Sequence, residues 1–256
     1  MDNLKTYGII GYPLSHSFSN KYFTDKFSRE AIANVQHKVF PLTTVQDFPS
    51  LIESEKELVG LNVTIPYKQT IIPFLDELDT TAKAVGAVNT IKVVHTDNSH
   101  IKKLVGYNTD VFGFANALKP FLENHHQRAL ILGTGGASKA VAYVLKQLGI
   151  DFLFVSRKEK DNSSEKTIEY SALNEHYLNA FHLIINATPA GMFPAVEQCP
   201  QLPYGFITSH HLLFDLIYNP EQTLFLQKGK AQGAATQNGL TMLYLQAEQS
   251  WKIWNE

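Results

Sequence analysis

Ala129-Leu130-Ile131-Leu132 runs straight into Gly133-Thr134-Gly135-Gly136-Ala137-Ser138, and a helical pattern follows at once, with Val141, Val144, Leu145 and Leu148 at helical spacing and Gly149 as a stop signal. Short apolar runs then recur at Phe152–Val155, Leu183–Ala187 and Leu212–Ile217, alternating with helix-like or polar segments. Strands this short and solidly apolar suit burial on both faces, and the alternation predicts a parallel sheet of βαβ units. In that setting the glycines have a mechanism. They allow a tight turn and let backbone N–H groups approach a pyrophosphate, whose charge is favoured at a helix N-terminus. Ser138 stands where the usual fingerprint has its third glycine, so the loop is a variant. An ordinary glycine-rich turn would read similarly, but strand, loop, helix and second strand in order favour the nucleotide reading. Lys139 lies between Ser138 and Ala140, which is not the phosphate-binding lysine pattern of nucleotide triphosphatases.

The second strand of this Rossmann-like half ends in Ser156-Arg157-Lys158. A dinucleotide site without a 2′-phosphate commonly has an acidic residue there for the ribose hydroxyls; two cations suit the phosphate instead.

The N-terminal half also reads as α/β. Tyr7–Ile10, Val39–Leu42 and Leu61–Ile65 are expected strands, Phe18–Ala31 a helix, and Ile91–Val94 with Ile101–Val105 a hairpin about Thr96–Ser99. Leu240–Trp254 is expected to be an amphipathic helix, with Trp251 and Trp254 as packing residues. A boundary near Gly106–Asp110 divides a first domain, 1–106, from a second, 107–238.

Polar groups cluster in the first half. Ser15 and Ser17 flank His16 after the first strand and could hold a carboxylate, though on their own they read better as caps of the helix that follows. Asn62 and Thr64 alternate with apolar residues and so share one strand face. Pro66 suits the start of a helix, which would put Lys68 in a first turn, where the helix dipole opposes a cation and eases proton donation. Asn89 adds an amide, and Asp110 adds a carboxylate at the junction.

Composition narrows the classes. The 256 residues are 44% apolar and 11% aromatic, enough for a sizeable core. Lys plus Arg is 22 against 24 Asp plus Glu, a net charge of −2 that gives no support to a nucleic-acid partner. No stretch of about 18 apolar residues suggests a membrane span. A soluble, cytoplasmic protein without a membrane partner is expected. Cys199 is the only cysteine, and the ten histidines show no ligand spacing, so no metal is expected. His125-His126 and His210-His211 lie in loop-like segments and read as solvated.

Taken together, the motifs resemble the shikimate dehydrogenase family along nearly the whole chain. They are GYPLSHSFS at 11–19, GLNVTIPYK at 60–68, GAVNT at 86–90, GYNTD at 106–110, GTGGAS at 133–138, SR at 156–157, NATPAGM at 186–192, DLIYNP at 215–220 and NGLTMLYLQ at 238–246. The chain departs from the family's usual pattern at Asn20, Lys158 and Thr241. The resemblance implies two α/β domains with a cleft between them, an N-terminal one for shikimate and a Rossmann one for NADP, with the last helix, 239–256, packing back on the first. It implies reversible NADPH-dependent reduction of 3-dehydroshikimate, by a monomer or homodimer. Lys68 and Asp110 would be the catalytic pair. Ser15 and Ser17 would take the substrate carboxylate, and Asn62, Thr64, Asn89, Tyr218 and Gln246 would complete the substrate site. Gly133, Gly135, Gly136, Ala137, Ser156, Arg157, Thr188, Leu216 and Gly239 would lie along the cofactor. A quinate/shikimate dehydrogenase preferring NAD, or a dinucleotide-sensing regulator of the same fold, are the rival readings; Arg157 argues against the first and the Lys68–Asp110 pair against the second.

Overall fold

The computed structural model describes residues 4–14, 18–95, 102–158 and 166–256, and divides the chain into two units, Met1–Thr109 with Ala247–Glu256, and Asp110–Gln246. Ser15, Ser17 and the turn at Thr96–Ser99 lie outside the described residues.

The first unit is built on strands β1 (Lys5–Gly11), β2 (Val35–Pro41), β3 (Leu58–Val63), β4 (Glu77–Leu78), β5 (Thr90–His95) and β6 (Lys102–Tyr107), in the order β2-β1-β3-β5-β6-β4. β1 pairs in parallel with β2 and β3, while β5 pairs antiparallel with β3 and β6, so the expected hairpin is present. Helices α1 (Phe18–Arg29), α2 (Phe48–Ser54) and α3 (Thr80–Val85) join them. One core gathers Ile10, Leu61, Val63 and Ile91 with Phe48 and Ile52 of α2. The other gathers Tyr7 with Phe23 and Phe27 of α1 and with Ile253 and Trp254 from the C-terminal helix. Trp254 donates its indole N–H to the Ile91 carbonyl (3.0 Å) and fills the space over Gly60, where a Cβ would collide with the indole.

Two strands differ from the sequence expectation. β2 begins at Val35 because Lys5 to Gly11 pair residue for residue with Val35 to Pro41; its half-buried Gln36, His37 and Lys38 hide an edge strand from an apolar-run reading. β3 covers Leu58–Val63 and stops before Thr64, because Thr6 N–H already pairs with the Glu57 carbonyl (2.8 Å) and the chain turns after Val63.

The second unit follows from α4 (Thr109–Leu118), which the chain enters at the unit boundary. Its strands are β7 (Arg128–Leu132), β8 (Asp151–Ser156), β9 (Thr167–Glu169), β10 (Leu183–Asn186), β11 (Leu212–Asp215) and β12 (Ala235–Gln237). All pair in parallel, in the order β12-β11-β10-β7-β8-β9. Helices α5 (Gly136–Gln147), α6 (Glu175–Ala180) and α7 (Leu224–Ala231) connect them, and α8 (Leu240–Asn255) closes the chain. Alternate strand residues feed two cores: Ala129, Ile131, Leu183, Ile185 and Phe214 meet α4 and α5, whereas Leu130, Leu132, Ile184 and Leu213 meet α6 and α7. Helices therefore cover both faces, as runs such as LIIN and LLFD demand. α5 ends where expected: Gly149 has φ +70, its N–H meets the Lys146 carbonyl (3.1 Å), and Ile150 N–H meets that of Leu145 (2.9 Å). That double closure needs a left-handed residue, which glycine supplies. No helix among the described residues is long and apolar enough to cross a membrane.

The expectation that both histidine pairs are solvated is corrected. His126 and His211 are buried, His126 accepting from Glu123 N–H (2.9 Å) and His211 bridging Thr208 N–H and the Leu178 carbonyl. Their rings have replaced water by fixed backbone partners at the ends of β7 and β11, which an apolar-run reading cannot register. Burial pushes both pKa values down.

His37 in β2 behaves alike. Its ring stacks on Phe23 (5.1 Å between centroids), its Nδ1 lies 3.0 Å from Asn20 Oδ1, and its shielded Nε2 has no partner among the described residues. Burial pushes its pKa down to about 3. A histidine held neutral by the fold contributes stability above its unfolded pKa of about 6.5 and loses it as pH falls toward the folded value. Stability should therefore fall from about pH 6.5 downward, by up to roughly 1.4 kcal/mol per pH unit per group, and the melting temperature with it. His37→Phe, which keeps the ring contact, should flatten that slope between pH 6.5 and 4.5; parallel wild-type and variant slopes in thermal melts would show that His37 is free to protonate in the fold.

Candidate active site

In the first unit the candidate groups sit where parallel strands β1 and β3 end. Asn62 is the penultimate residue of β3, paired beside Ile9 on one side and Thr90 on the other. Thr64 N–H donates to the Ile10 carbonyl (2.9 Å), and the approach is so close that a Cβ on Gly11 would lie on the Thr64 methyl. Thr64 is half-buried and Asn62 buried.

Lys68 does not stand on a helix. After Thr64 the chain turns through Ile65 and Pro66, with Tyr67 N–H donating to the Thr64 carbonyl (2.9 Å), and the next helical turn is only a short one at Ile72–Phe74. The Ile65–Pro66 peptide is cis. Without a helix at Lys68, no helix dipole opposes its charge. Its backbone is fixed by other means: the Lys68 carbonyl accepts from Val88 N–H at 2.7 Å, which ties the half-buried lysine to the segment bearing Asn89.

Asn89 is buried and doubly held. Its Oδ1 accepts from Thr109 N–H (2.7 Å), and its Nδ2 donates to Thr109 Oγ1 (2.9 Å). Thr90 and Thr109 in turn contact Ser250 of α8, at 2.7 and 3.2 Å between hydroxyl oxygens, and Asn62 Nδ2 donates to Ser250 Oγ (3.2 Å). Sequence reasoning missed Thr90, Thr109 and Ser250. The signal for Ser250 was available: it is a lone hydroxyl on the apolar face of α8 that also carries Ala247, Trp251 and Trp254.

In the second unit the candidates cluster at the carboxyl ends of the strands. Numbered within the sheet the order is the doubly wound one, and it reverses between β7 and β10, where such sheets bind their ligands. Gly133 (φ +100) donates its N–H to the Val155 carbonyl (2.8 Å), and a Cβ there would press on the Thr188 methyl at 2.9 Å. Gly135 is the N-cap of α5 and offers no side-chain cap; a Cβ there would meet nothing within 4 Å. Gly136 and Ala137 form the first turn, and buried Ser138 Oγ has no partner among the described residues. An uncapped twelve-residue helix with open space over its first glycine fits a pyrophosphate. Arg157 and Lys158 are exposed directly after β8, with no carboxylate at 156–158, and Ser156 Oγ donates to the Lys158 carbonyl. That donor set suits a dinucleotide with an added phosphate.

Further support comes from a buried chain of hydrogen bonds at the ends of β10 and β11, centred on two residues, Asn186 and Asp215, that sequence reasoning missed. Asp215 accepts from Thr223 Oγ1 (2.6 Å), Ile217 N–H (3.0 Å) and Asn186 Nδ2 (3.0 Å). Asn186 Oδ1 accepts from Thr188 Oγ1 (2.7 Å) and N–H (3.1 Å). Burial pushes the Asp215 pKa up to about 7, against the lowering effect of those three donors. Thr188 is thus held through Asn186, and the Leu216–Tyr218 segment through Ile217. Leu216 and Tyr218 are half-buried, and burial raises the Tyr218 pKa. Gly239 packs on the Leu216 carbonyl, where any Cβ would collide, so backbone approach alone accounts for that glycine. Asp110 is buried in the first turn of α4, and Gln246 is half-buried in α8. Cys199 is a free thiol 3.3 Å from Lys228 Nζ. Among the described residues no three His, Cys, Asp or Glu side chains are placed to hold a metal.

Residues 9–91 match the family described as shikimate dehydrogenase substrate binding domain. A Clostridium beijerinckii protein named shikimate dehydrogenase (NADP(+)) is 39% identical over 259 residues, covering 99% of this chain and 93% of that protein. The chain belongs to the shikimate dehydrogenase family. Among solved structures, a shikimate dehydrogenase in complex with NADP+ superposes with a TM-score of 0.84 at 32% identity, covering 98% of this chain and 89% of that one. The Thermus thermophilus enzyme in complex with NADP(H) and shikimate gives a TM-score of 0.82 at 26% identity, covering 98% and 92%. The family's two α/β domains are those of this fold.

Two glycines separate cofactor space from packing. Gly135→Ala should melt within a degree or two of wild type yet weaken NADPH binding in a fluorescence titration, because its methyl occupies the open space. Gly239→Ala should cost about 1–3 kcal/mol of stability through overpacking. Unchanged NADPH affinity in Gly135→Ala would remove the pyrophosphate from that loop.

Proposed function

We propose that this protein catalyses the reversible, NADP-linked interconversion of 3-dehydroshikimate and shikimate, an oxidoreductase step at a CH–OH group leading to chorismate and the aromatic amino acids. The observation that carries this reading is likeness over nearly the whole chain to a protein of that name, 39% identical across 99% of these residues, in a chain that keeps Lys68 and Asp110. The first unit would bind the substrate and the second the cofactor.

The backbone of Gly133, Gly135, Gly136 and Ala137 would hold the pyrophosphate. Ser156 and Arg157 would hold the 2′-phosphate, and Thr188, Leu216 and Gly239 would border the nicotinamide half. Bound NADPH supplies the hydride, and the protein supplies orientation and the proton. In reduction, Lys68 would donate a proton from Nζ to the oxygen developing negative charge; in oxidation its neutral amine would take that proton back. The Asp110 carboxylate would accept a substrate hydroxyl. Ser15 and Ser17 would hold the substrate carboxylate as neutral donors, with Asn62, Thr64, Asn89, Tyr218 and Gln246 around the ring. The protein would work in the cytoplasm as a monomer or homodimer, and its single free thiol agrees with a reducing compartment.

The assay is NADP+ reduction with shikimate, run beside quinate and NAD+; quinate with NAD+ as the preferred pair would overturn the reading. Lys68→Ala should lower kcat by about 10²–10⁴, the size of a lost general acid, with a smaller effect on KM. A steep rise in KM at unchanged kcat would make Lys68 a binding group.

Wild-type protein should prefer NADP+ over NAD+ by at least about tenfold in kcat/KM, which a single net interaction of about 1.4 kcal/mol provides. Arg157→Ala should erode that preference mainly through KM for NADP+, because a contact far from the reacting carbon contributes equally to ground and transition states. Equal use of both cofactors by the wild type would refute the role of Arg157.

A further inference from the structure

Asp215, the last residue of β11, is wholly buried, and its carboxyl group meets three donors, all of them neutral. Backbone N–H groups, which can only donate, settle the direction of each bond. Thr188 N–H donates to Asn186 Oδ1 (3.1 Å), which fixes that oxygen as the acceptor. Asn186 Nδ2 then has two hydrogens for two acceptors, Asp215 Oδ1 (3.0 Å) and the Ala190 carbonyl (3.4 Å). Ala190 N–H donates to Thr188 Oγ1 (3.3 Å), whose own proton goes to Asn186 Oδ1 (2.7 Å). Leu226 N–H donates to Thr223 Oγ1 (3.4 Å), whose proton goes to Asp215 Oδ2 (2.6 Å). Ile217 N–H supplies the third bond, to Oδ1 (3.0 Å).

One carboxyl group thus joins the Asn186–Ala190 turn after β10, the Leu216–Tyr218 segment after β11, and the N-cap of α7 at Thr223. Gly239, packed on the Leu216 carbonyl, rests on the second of these. Three hydrogens aimed at Asp215 suit a carboxylate; a proton on it would be a fourth, and one donor would have to turn away. Burial opposes the charge and pushes the pKa up to about 7. Among the described residues, the titratable group that interacts with Asp215 is Tyr204, whose phenol donates to the Pro200 carbonyl (2.9 Å) and is kept neutral by burial. Lys228 of α7 lies over the Tyr204 ring and beside Cys199.

We propose that ionised Asp215 is a positioning residue for the nicotinamide half of the cofactor: it holds Thr188 through Asn186 and the Leu216–Tyr218 segment through Ile217, and proton uptake there loosens both and weakens dinucleotide binding. The proposal rests on the NADP reading above, which puts Thr188, Leu216 and Gly239 beside that half. Asp215 has no exposed surface and acts only through these neighbours. Because its folded pKa lies above the unfolded value of about 3.9, ionisation costs the fold stability as pH rises from about 4 to about 7. Dinucleotide binding strengthens over the upper part of that range. Opposite trends in fold stability and in binding are not what a merely structural carboxyl gives.

The test is calorimetry on the full chain from pH 6 to 8.5, comparing wild type with Asp215→Asn, an isostere that cannot ionise. The ligands are NADP+ and adenosine 2′,5′-bisphosphate, which carries the 2′-phosphate and no nicotinamide. At pH 8 the variant should bind NADP+ about tenfold more weakly, the effect of a carboxyl whose pKa falls by about one on binding; at pH 6 the difference should shrink to about twofold. Its affinity for adenosine 2′,5′-bisphosphate should stay within about twofold throughout. The 2′-phosphate itself titrates near pH 6 in both proteins, and the comparison cancels it. An equal loss for both ligands would mark a general defect of the second unit and overturn the proposal. Binding of both ligands with a variant-to-wild-type ratio that is near one, or that does not change with pH, would overturn the proposal alone. Binding of neither ligand by the wild type would overturn the NADP reading and the proposal with it. A second readout needs neither cofactor nor variant: the Thr188 and Ile217 amide resonances of the wild type should move together with a midpoint near pH 7. Resonances that stay fixed from pH 6 to 8.5 would overturn the proposal even if the variant fails to fold.

Discussion

Burial of β7, β10 and β11 on both faces is the constraint from which the second unit follows. A strand that is apolar at every position cannot turn a face to water, so helices must cover both sides of the sheet and every crossover must be right for that. Polar chemistry is then excluded from the strand bodies and confined to their ends. Asn186 and Asp215 are the last residues of β10 and β11 and are buried all the same, which is why they bond to each other and to Thr223, Ile217 and Thr188 and not to water. The reversal of strand order between β7 and β10 opens the place where the glycine loop can receive a phosphate.

The first unit meets the same difficulty in a mixed sheet and answers it differently. Around Asn89 its buried polar side chains are neutral amides and hydroxyls, and one backbone N–H, that of Thr109, fixes Asn89 Oδ1 as an acceptor. In the second unit the equivalent anchor is a carboxyl group held by three donors. A neutral set keeps its pattern at any working pH, whereas Asp215, with a pKa pushed up to about 7, sits near its titration point. In both sets a buried side chain accepts a hydrogen bond from a neighbouring amide: Ser250 from Asn62 and Asp215 from Asn186.

Much of this was legible from residues alone. The glycine loop, its strand and α5 were readable because a buried parallel strand, a φ-permissive turn and an amphipathic helix each leave a separate mark. The basic pair after β8 was readable from its position. What escaped were features made by partners distant in sequence. β2 was cut short because an edge strand tolerates Gln36, His37 and Lys38. Pro66 suggested a helix because proline is common at a first helical position, yet the Thr64–Tyr67 turn and the Val88–Lys68 bond determine that stretch. His126 and His211 looked solvated because their backbone partners lie at strand ends that no local pattern reveals. Ser250 is separated from Asn62 by 188 residues, and no window along the chain could join them.

That separation bears on how the chain is made. The second unit is one continuous stretch, Asp110–Gln246, and every group of its core has been synthesised once Gln246 is in place. The first unit is not continuous: Trp254 must reach the slot over Gly60, and Ser250 must meet Asn62, Thr90 and Thr109, before the unit begun at Lys5 is complete. On the ribosome, then, the unit translated first is the one that finishes last. Its half-built sheet must wait, with the Gly60 slot uncovered, through the synthesis of the whole second unit. A chain that stops short of residues 247–256 therefore has every residue of its second unit but a first unit that lacks part of its core.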